Sequence, residues 1–151
     1  MNADTVHIRP LREGEEEAVA ALWDACGLTR PWNPPARDIA FARATPTADI
    51  LVAEDTAAGN GALFASVLCG HEGHRGWMYY VAVHPDRQGS GLGKRMVKAA
   101  EDWLAAQGCW KVMLMVRREN ATVQDFYAGL GYEHSDVVVL SRGISRDDAS
   151  A

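Results

Sequence analysis

The chain has 151 residues, of which 48% are hydrophobic, and its formal net charge at pH 7 is −5. This length and apolar content suit one compact domain with a substantial core. No N-terminal apolar run precedes a small-residue cleavage site, and no stretch of about 18 apolar residues occurs, so we expect a cytoplasmic protein that is neither exported nor inserted in a membrane. The acidic balance argues against general binding to nucleic acids or acidic membranes.

Three cysteines, Cys26, Cys69 and Cys109, are widely spaced along the chain. An odd count without a C-x-x-C pair favours neither a disulfide framework nor a metal site. We therefore predict three reduced thiols in the core and no bound metal.

The first half of the chain predicts one strand, two helices and a strand pair. A first strand covers residues 6–10, and a helix follows over 13–26, where apolar residues recur on one face before Gly27. A proline-rich turn over 28–35 leads to a short helix over 38–44, with Asp38 as its cap or first-turn acid. Strands over 50–54 and 62–70 are joined by a glycine-containing turn.

The second half predicts alternating strands and helices. A polar loop over 71–76 precedes an aromatic and β-branched strand over 77–83, which Pro85 ends. A long amphipathic helix starts at residue 92 and ends near Gly108, and the strand over 112–116 is apolar on both faces, as in a strand covered on both sides. A helix over 120–130 and a last strand over 137–141 precede a polar tail from about residue 143. Without repeats or low-complexity linkers, residues 1–151 form one predicted domain.

The connection between the strand over 77–83 and the long helix contains three glycines within five residues, in Arg87-Gln88-Gly89-Ser90-Gly91-Leu92-Gly93-Lys94. The first N–H groups of a helix lack intrahelical partners and carry the positive end of its dipole. Glycines allow the backbone to present these groups to an anion, so the segment predicts a phosphate site; a ligand-free glycine turn is the alternative. Nearby cations are Arg87, Lys94, Arg95 and Lys98.

Two common phosphate loops do not fit this segment. A Walker loop requires Gly where Gln88 stands and Ser or Thr where Arg95 stands. A dinucleotide loop requires its third Gly at the position of Lys94 or Met96. Both are excluded by their spacing.

Gln88-x-x-Gly91-x-Gly93 resembles the acyl-CoA pyrophosphate loop of the GNAT N-acetyltransferases, whose signature is Gln or Arg followed by x-x-G-x-G or A. About 30 residues downstream comes a second family motif, Asn120-Ala121-x-x-x-x-Phe126-Tyr127-x-x-Leu130-Gly131-Tyr132. The predicted order β-α-α-β-β-β-α-β-α-β-β is also similar to this family over nearly the whole chain. The resemblance implies an α/β (α+β) domain with a mixed, mostly antiparallel sheet of six to seven strands and about four helices.

A looser likeness concerns the bacterial YpeA-like branch of the family. It is carried by Arg30-Pro31-Trp32-Asn33, Gly73-His74-Arg75-Gly76 and Tyr132-Glu133-His134. This branch adds little about the substrate.

The resemblance implies acetyl-CoA as the cosubstrate. Pantetheine would pair with main-chain groups of Val81 and Val83, next to Asn120 and Tyr127. The pyrophosphate would rest on N–H groups of Gln88, Gly89, Ser90, Gly91, Leu92, Gly93 and Lys94. An amine would then attack the thioester directly, with an N–H near Val81 stabilising the oxyanion and Tyr127 as general acid for the thiolate.

The general base does not carry over from the family. In the branch that acetylates ribosomal-protein N-termini, a Glu stands five residues before the Asn, where this chain has Met115. Because Met115 cannot take a proton, the candidates are Glu72, His74 and Tyr79, each of which has an ordinary loop or packing role as its alternative.

The segment between the first two helices commonly lines the acceptor site in this family. We predict Arg30 as a clamp for a carboxylate and Trp32 as a wall, with Asn33 and Arg75 as further acceptor contacts. For Arg30 and Trp32, a proline-fixed surface turn is an equal alternative.

The leading functional prediction is acetyl-CoA-dependent N-acetyl transfer to an amine acceptor, which is a small molecule, an amino acid or a protein amine. The alternative is a CoA-binding regulatory or interaction module without turnover. Tyr127 beside Asn120 favours the enzyme, whereas Met115 favours the module. We expect no nucleic-acid or membrane partner; a homodimer through terminal strands is suggested by family members that pair in this way.

Overall fold

The computed structural model describes residues 5–145 and arranges them around a mixed sheet. Within these residues the sheet has five strands in the order β1-β2-β3-β4-β5: β1 (Val6–Pro10), β2 (Ala48–Asp55), β3 (Leu63–His71), β4 (Gly76–Val83) and β5 (Val112–Met113). The first four strands pair antiparallel, and β5 pairs parallel to β4. The helices of the same residues are α1 (Glu16–Ala25), α2 (Pro35–Arg43), α3 (Leu92–Ala106) and α4 (Ala121–Gly129).

Helices cover both faces of the sheet, and strand β2 explains why. Successive side chains of a strand point to opposite faces. Ile50 and Val52 are buried in the cluster that contains the α1 and α2 side chains, whereas Leu51 and Ala53 are buried with those of α3. The uninterrupted apolar run of β2 therefore builds two cores, one on each face.

The first two helices begin at different residues from those predicted. Helix α1 starts at Glu16 instead of residue 13, because Gly14 has a φ of +90° and Glu15 is the N-cap. Helix α2 starts at Pro35, three residues before the predicted start, since a proline at the first helical position has its φ already set. Asp38 lies in the first turn of α2, as predicted.

A buried arginine ties the N-terminal strand to its neighbours. Arg9 on β1 is 7% exposed, and its guanidinium donates two hydrogen bonds of 2.8 Å to the Glu15 carboxylate and one of 2.7 Å to Glu54 on β2. The hydrogen bonds from Arg9 lower the pKa of Glu15 to about 2, although partial burial opposes the shift. This bidentate pair fixes the start of α1 against the sheet.

Of the two C-terminal strand predictions, the first is right for two residues only and the second is wrong for the described residues. Only Val112 and Met113 of the segment 112–116 pair with β4, and Met115 is 53% exposed instead of covered on both sides. Residues 137–141 form no strand, and Val138 and Leu140 are 82% and 89% exposed. Residues 137–141 are rich in β-branched side chains and so have high strand propensity. A strand also needs a neighbouring strand to pair with, and β5 is only two residues long. The described sheet thus has five strands, not six to seven.

The three cysteine thiols differ in burial. Cys69 is buried, and burial raises its pKa to about 12, whereas Cys26 and Cys109 are partly buried and pack against the two cores from their edges. All three are free. Among residues 5–145 no group of ligating side chains could hold a metal ion, and no helix has the length and apolar content to cross a membrane. The predicted polar tail starts at about residue 143, and its part after residue 145 lies outside the described residues.

Replacing Glu15 with Gln should destabilise the protein in a pH-dependent way. Because the pKa of Glu15 falls from 4.5 to about 2 on folding, the pair stabilises the fold above about pH 4.5 and loses its contribution as the pH falls towards 2. We expect Glu15→Gln to lower the free energy of unfolding by about 2 kcal/mol at pH 7, less than for a fully buried pair because Glu54 still holds Arg9. Urea unfolding should show a smaller difference at pH 3. Glu17→Gln, an exposed change on the same helix, is the control, and equal stability of both variants would contradict the assignment.

Candidate active site

Strands β4 and β5 separate after two residue pairs and leave a cleft between them. Pairing is limited to Gly76 with Val112 and Trp77 with Met113, whereas β4 continues to Val83. Beyond this point the outer edge of β4 has no strand partner among the described residues. The cleft has a volume of about 1050 Å³, and its lining includes Tyr79, Tyr80, Val81, Met115, Val116, Asn120 and Tyr127. Free ladder groups on an open edge can pair with an extended ligand.

A bulge in β4 directs the backbone at this edge. Ser66 pairs with Ala82 and Leu68 pairs with Tyr79, so two residues, Tyr80 and Val81, stand opposite one residue of β3. Tyr80 has a φ of +53°, in the left-handed region that non-glycine residues rarely adopt. The extra residue bends the strand and turns Val81 towards the cleft that it lines.

Contacts on every side hold Tyr80 in this conformation. Its ring stacks on Trp23 of α1, with 3.7 Å between centroids and 5° between planes. Its carbonyl accepts a 2.9 Å hydrogen bond from the Ser66 hydroxyl, which in turn accepts one of 2.8 Å from the Trp23 indole N–H. Its own hydroxyl donates to Asp38 at 2.6 Å. A strain of about 1–3 kcal/mol persists where the surroundings over-determine it in this way.

The glycine loop, residues 88–94, turns through two left-handed glycines just before α3. Gly89 and Gly91 have φ values of +81° and +78°, and Gly91 is the N-cap of α3 without a side-chain cap. The first N–H groups of α3 are thus left for a ligand or water. Ser90 Oγ donates to the Arg87 carbonyl at 2.6 Å, and Gln88 Nε2 donates to the Val83 carbonyl at 3.3 Å. These bonds join the loop to the end of β4.

The four predicted cations divide into anchored and free side chains. Arg87 donates to Asp55 at 2.9 Å and lies 4.4 Å from the Phe64 ring centroid, so it anchors the loop to the sheet. Lys98 pairs with Asp102 along α3. Lys94 and Arg95 are exposed and form no ion pair within the described chain, which leaves them available to an anion.

Helix α4 brings the second predicted motif to the cleft. Asn120 is its N-cap, and its side-chain oxygen accepts from the Val123 N–H at 3.2 Å. Tyr127 is 8% exposed, lines the cleft, and its hydroxyl has no hydrogen-bond partner among residues 5–145. Burial raises the pKa of Tyr127 to about 12, so the phenol remains a proton donor at neutral pH. A Cβ at Gly93 would lie 3.3 Å from Phe126 Cζ, so this glycine allows α4 to approach the loop.

The predicted bases are not equally placed. Glu72 and Tyr79 line the cleft, whereas His74 does not. The Glu72 carboxylate accepts the backbone N–H groups of Arg75 and His74 and the Trp77 indole N–H, and the first two lower its pKa to about 2. Burial and the Glu72 charge raise the pKa of Tyr79. Both shifts count against these residues as proton acceptors at neutral pH.

The predicted acceptor contacts also divide. Arg30 and Asn33 line the cleft, but Trp32 is 52% exposed and Arg75 lies 4.6 Å from the Trp110 ring centroid, both outside it. Arg30 donates to the carbonyls of Gly27 and Thr29 at 3.0 and 2.8 Å. The positions of Trp32 and Arg75 therefore count against the acceptor roles proposed for them.

Two cleft residues, Asp38 and Tyr80, were not predicted as functional. Asp38 was assigned only to the start of a helix and Tyr80 only to a strand. Their hydrogen bond joins residues 42 positions apart, and it depends on the bulge in β4. The sequence offered one signal for this pair, a carboxylate one turn after a proline-rich segment. That signal did not identify Tyr80 as the partner of Asp38.

Comparisons with known proteins agree with this architecture. The model of the acetyltransferase (GNAT) family matches residues 16–132. An acetyltransferase of Pectobacterium atrosepticum is 40% identical over 142 residues, which cover 94% of this chain and 98% of that protein. This chain therefore belongs to the acetyltransferase (GNAT) family and is an acetyltransferase.

Solved structures with lower identity show the same fold. The aminoglycoside N-acetyltransferase AAC(6')-Iy in complex with CoA has a TM-score of 0.76 and 17% identity, covering 93% of this chain and 95% of that chain. The ribosomal-protein-S18-alanine N-acetyltransferase of Escherichia coli has a TM-score of 0.72 and 22% identity, covering 86% and 79%. At these identities the likeness concerns the fold alone.

Replacing Gly91 with Ala should weaken the binding of CoA. A non-glycine residue at its φ of +78° costs roughly 1–2 kcal/mol, so the free loop would relax and binding would have to restore it. We expect the Kd for CoA, measured by calorimetry, to rise roughly five- to thirtyfold. Gly129→Ala is the matched control, because Gly129 has no positive φ and no atom within 4 Å of an added Cβ. An unchanged Kd in folded Gly91→Ala would contradict the role of the loop.

Proposed function

We propose that this acetyltransferase transfers an acetyl group from acetyl-CoA to a primary amine, by direct attack of the amine on the thioester. The observation that carries the proposal is the placement of Tyr127. Its buried, protonated phenol has no partner within the described chain and lines the same cleft as the open edge of β4. Such an arrangement supplies a donor to a leaving group held along the strand.

Acetyl-CoA would bind across the cleft with its two ends in different surroundings. The pantetheine would extend along β4 near Val81 and Val83, and the pyrophosphate would rest on the N–H groups of the glycine loop. The Val83 carbonyl already accepts Cys26 Sγ and Gln88 Nε2, each at 3.3 Å, so we place the main pairing at Val81. Lys94 and Arg95 would add positive charge beside the phosphates.

In the chemical step the neutral amine attacks the thioester carbonyl carbon and forms the C–N bond. The Val81 N–H would stabilise the oxyanion. The nitrogen, which becomes cationic on attack, would lose a proton to water, and collapse would then break the C–S bond to give the amide and the thiolate of CoA. Tyr127 would donate a hydrogen bond to the departing sulfur. Its pKa of about 12 exceeds that of a thiol, near 8.5, so stabilisation of the developing thiolate matters more than complete proton transfer.

The proton of the acceptor ammonium has to leave before attack, because an alkylamine with a pKa near 10 is mostly charged at neutral pH. Of the three predicted bases, Glu72 is occupied by its loop and Tyr79 has a raised pKa. His74, outside the cleft, would need a water chain. We therefore propose that water in the cleft carries this proton to the solvent.

The acceptor is an amine of a small molecule, an amino acid or a protein, with Arg30 as a clamp if it carries a carboxylate. We also propose that the chain lies closest to the YpeA-like branch of the family, on the residues Arg30-Pro31-Trp32-Asn33, Gly73-His74-Arg75-Gly76 and Tyr132-Glu133-His134. Family membership and the retained Tyr127 support turnover over the alternative of a non-catalytic CoA-binding module.

We further propose that the protein forms a homodimer, in which the C-terminal segment predicted as a strand pairs with a sheet edge of the second copy. The exposed apolar run at residues 137–140 supports this, since such a segment can pair with a sheet edge of a second copy. Sedimentation equilibrium should then return twice the 16.4 kDa of one chain. A single-chain mass at micromolar concentration would remove the proposal.

Replacing Tyr127 with Phe should lower kcat about a hundredfold, because the leaving sulfur loses its donor. The KM for acetyl-CoA should change little, since the ring and its packing remain. The test is acetyl-CoA-dependent thiol release over a panel of amino acids, polyamines, aminoglycosides and peptide N-termini. Tyr132→Phe is the control: it also removes one phenol oxygen, bonded to Glu101 at 2.7 Å, and should affect stability more than kcat. Equal kcat in Tyr127→Phe and the unchanged protein would refute the role of Tyr127.

A further inference from the structure

Among the described residues that line the cleft, two carry carboxylates, Asp38 and Glu72. Both oxygens of Glu72 accept hydrogen bonds from its own loop and from Trp77. Asp38 differs, because all of its hydrogen bonds fall on Oδ2, and Oδ1 accepts none within residues 5–145. Asp38 is thus the cleft carboxylate with an oxygen free for a ligand.

Two donors fix the direction in which this oxygen points. Tyr80 donates its hydroxyl to Oδ2 at 2.6 Å, and Asn33 donates its side-chain N–H to the same atom at 3.2 Å. Asn33 also contacts the Tyr80 hydroxyl at 3.4 Å, which closes a triangle of three side chains. Tyr80 is held by its stack on Trp23 and by the bulge. Hydrogen bonds to a charged acceptor are among the strongest that a protein forms, so the carboxylate is well oriented.

We propose that Asp38 Oδ1 binds a cationic group of the acceptor, and that this group is not the nitrogen that becomes acetylated. The inference rests on the proposed acetyl transfer to an amine. A carboxylate beside an ammonium favours the charged form and opposes loss of its proton. The attacking nitrogen has to be neutral, so an ion pair with Asp38 would hinder it. A second amine, which takes no part in the attack and stays protonated, gains from the same ion pair without this cost.

The acceptor therefore carries at least two cationic groups, as a diamine or a longer polyamine does. Apolar side chains of the same cleft suit the carbon chain that joins them. Phe41 and Tyr79 line the cleft and are 76% and 41% exposed, and Met115 is 53% exposed. The methylene groups of a long amine can cover such surface while its charged ends stay with polar partners.

The decisive test compares 1,4-diaminobutane with 1-aminobutane as acceptors for the full chain. These probes have the same carbon chain and differ in the second amine. We expect kcat/KM to favour the diamine by about tenfold, equivalent to about 1.4 kcal/mol, beyond the factor that its two equivalent amines contribute. In Asp38→Asn this preference should disappear through a higher KM for the diamine, while the KM for acetyl-CoA stays unchanged.

Two further variants separate binding from a general effect on charge or folding. Glu17→Gln removes the same negative charge from the exposed surface of α1 and should keep the preference. Tyr80→Phe keeps the ring but removes the donor to Asp38, so Tyr80 is tested as a positioning residue. It should raise the KM for the diamine several-fold more than the KM for 1-aminobutane, a difference between the two amines that a general disturbance of the cleft would not produce.

Equal use of the two amines by the unchanged protein would overturn the inference and leave acetyl transfer standing. A diamine preference that survives in folded Asp38→Asn would overturn it as well. If neither amine is acetylated and no other acceptor of the panel is, the proposed function fails, and calorimetry with 1,4-diaminobutane then decides this inference separately. Binding that is lost in Asp38→Asn supports it, whereas equal binding or no binding overturns it.

Discussion

The architecture of the cleft depends on one backbone irregularity, the left-handed conformation of Tyr80. An extra residue at this point of β4 interrupts the register with β3 and turns Val81 towards the open edge. The conformation persists because helix α1, helix α2 and strand β3 each contact Tyr80, through Trp23, Asp38 and Ser66. Strain of this kind at a functional site is sustained by the surrounding packing.

The two helical layers that cover the sheet carry groups of opposite charge. Helix α3 offers the unpaired N–H groups of its first turn with Lys94 and Arg95, which suit an anionic cosubstrate. Helix α2, which packs with the other core, offers the Asp38 carboxylate. The bulge in β4 contains both Val81, which lines the cleft, and Tyr80, whose hydroxyl orients Asp38. Strand β4 therefore positions both the proposed oxyanion donor and the proposed acceptor contact.

Much of this could be predicted from the residues in order. The glycine spacing before α3, the cap at Asn120 and the position of Tyr127 act over a single turn or loop, and local rules describe them well. The final strand at 137–141 was mispredicted because β-branched residues favour extended backbone, whereas a strand exists only where a partner ladder is present. Cys26 and Cys109 were placed in the core from their residue type alone, and the structure leaves both partly exposed.

The sequence by itself determined the family, the glycine loop before α3 and the place of Tyr127 in its motif, because each depends on residues close together in the chain. Only the tertiary structure decided which cleft carboxylate keeps an oxygen without a hydrogen bond among residues 5–145. Glu72 is occupied by its own loop, and Asp38 is presented to the cleft by Tyr80, 42 residues away. That choice depends on hydrogen bonds and a register shift between distant segments, and no local pattern of residues encodes them.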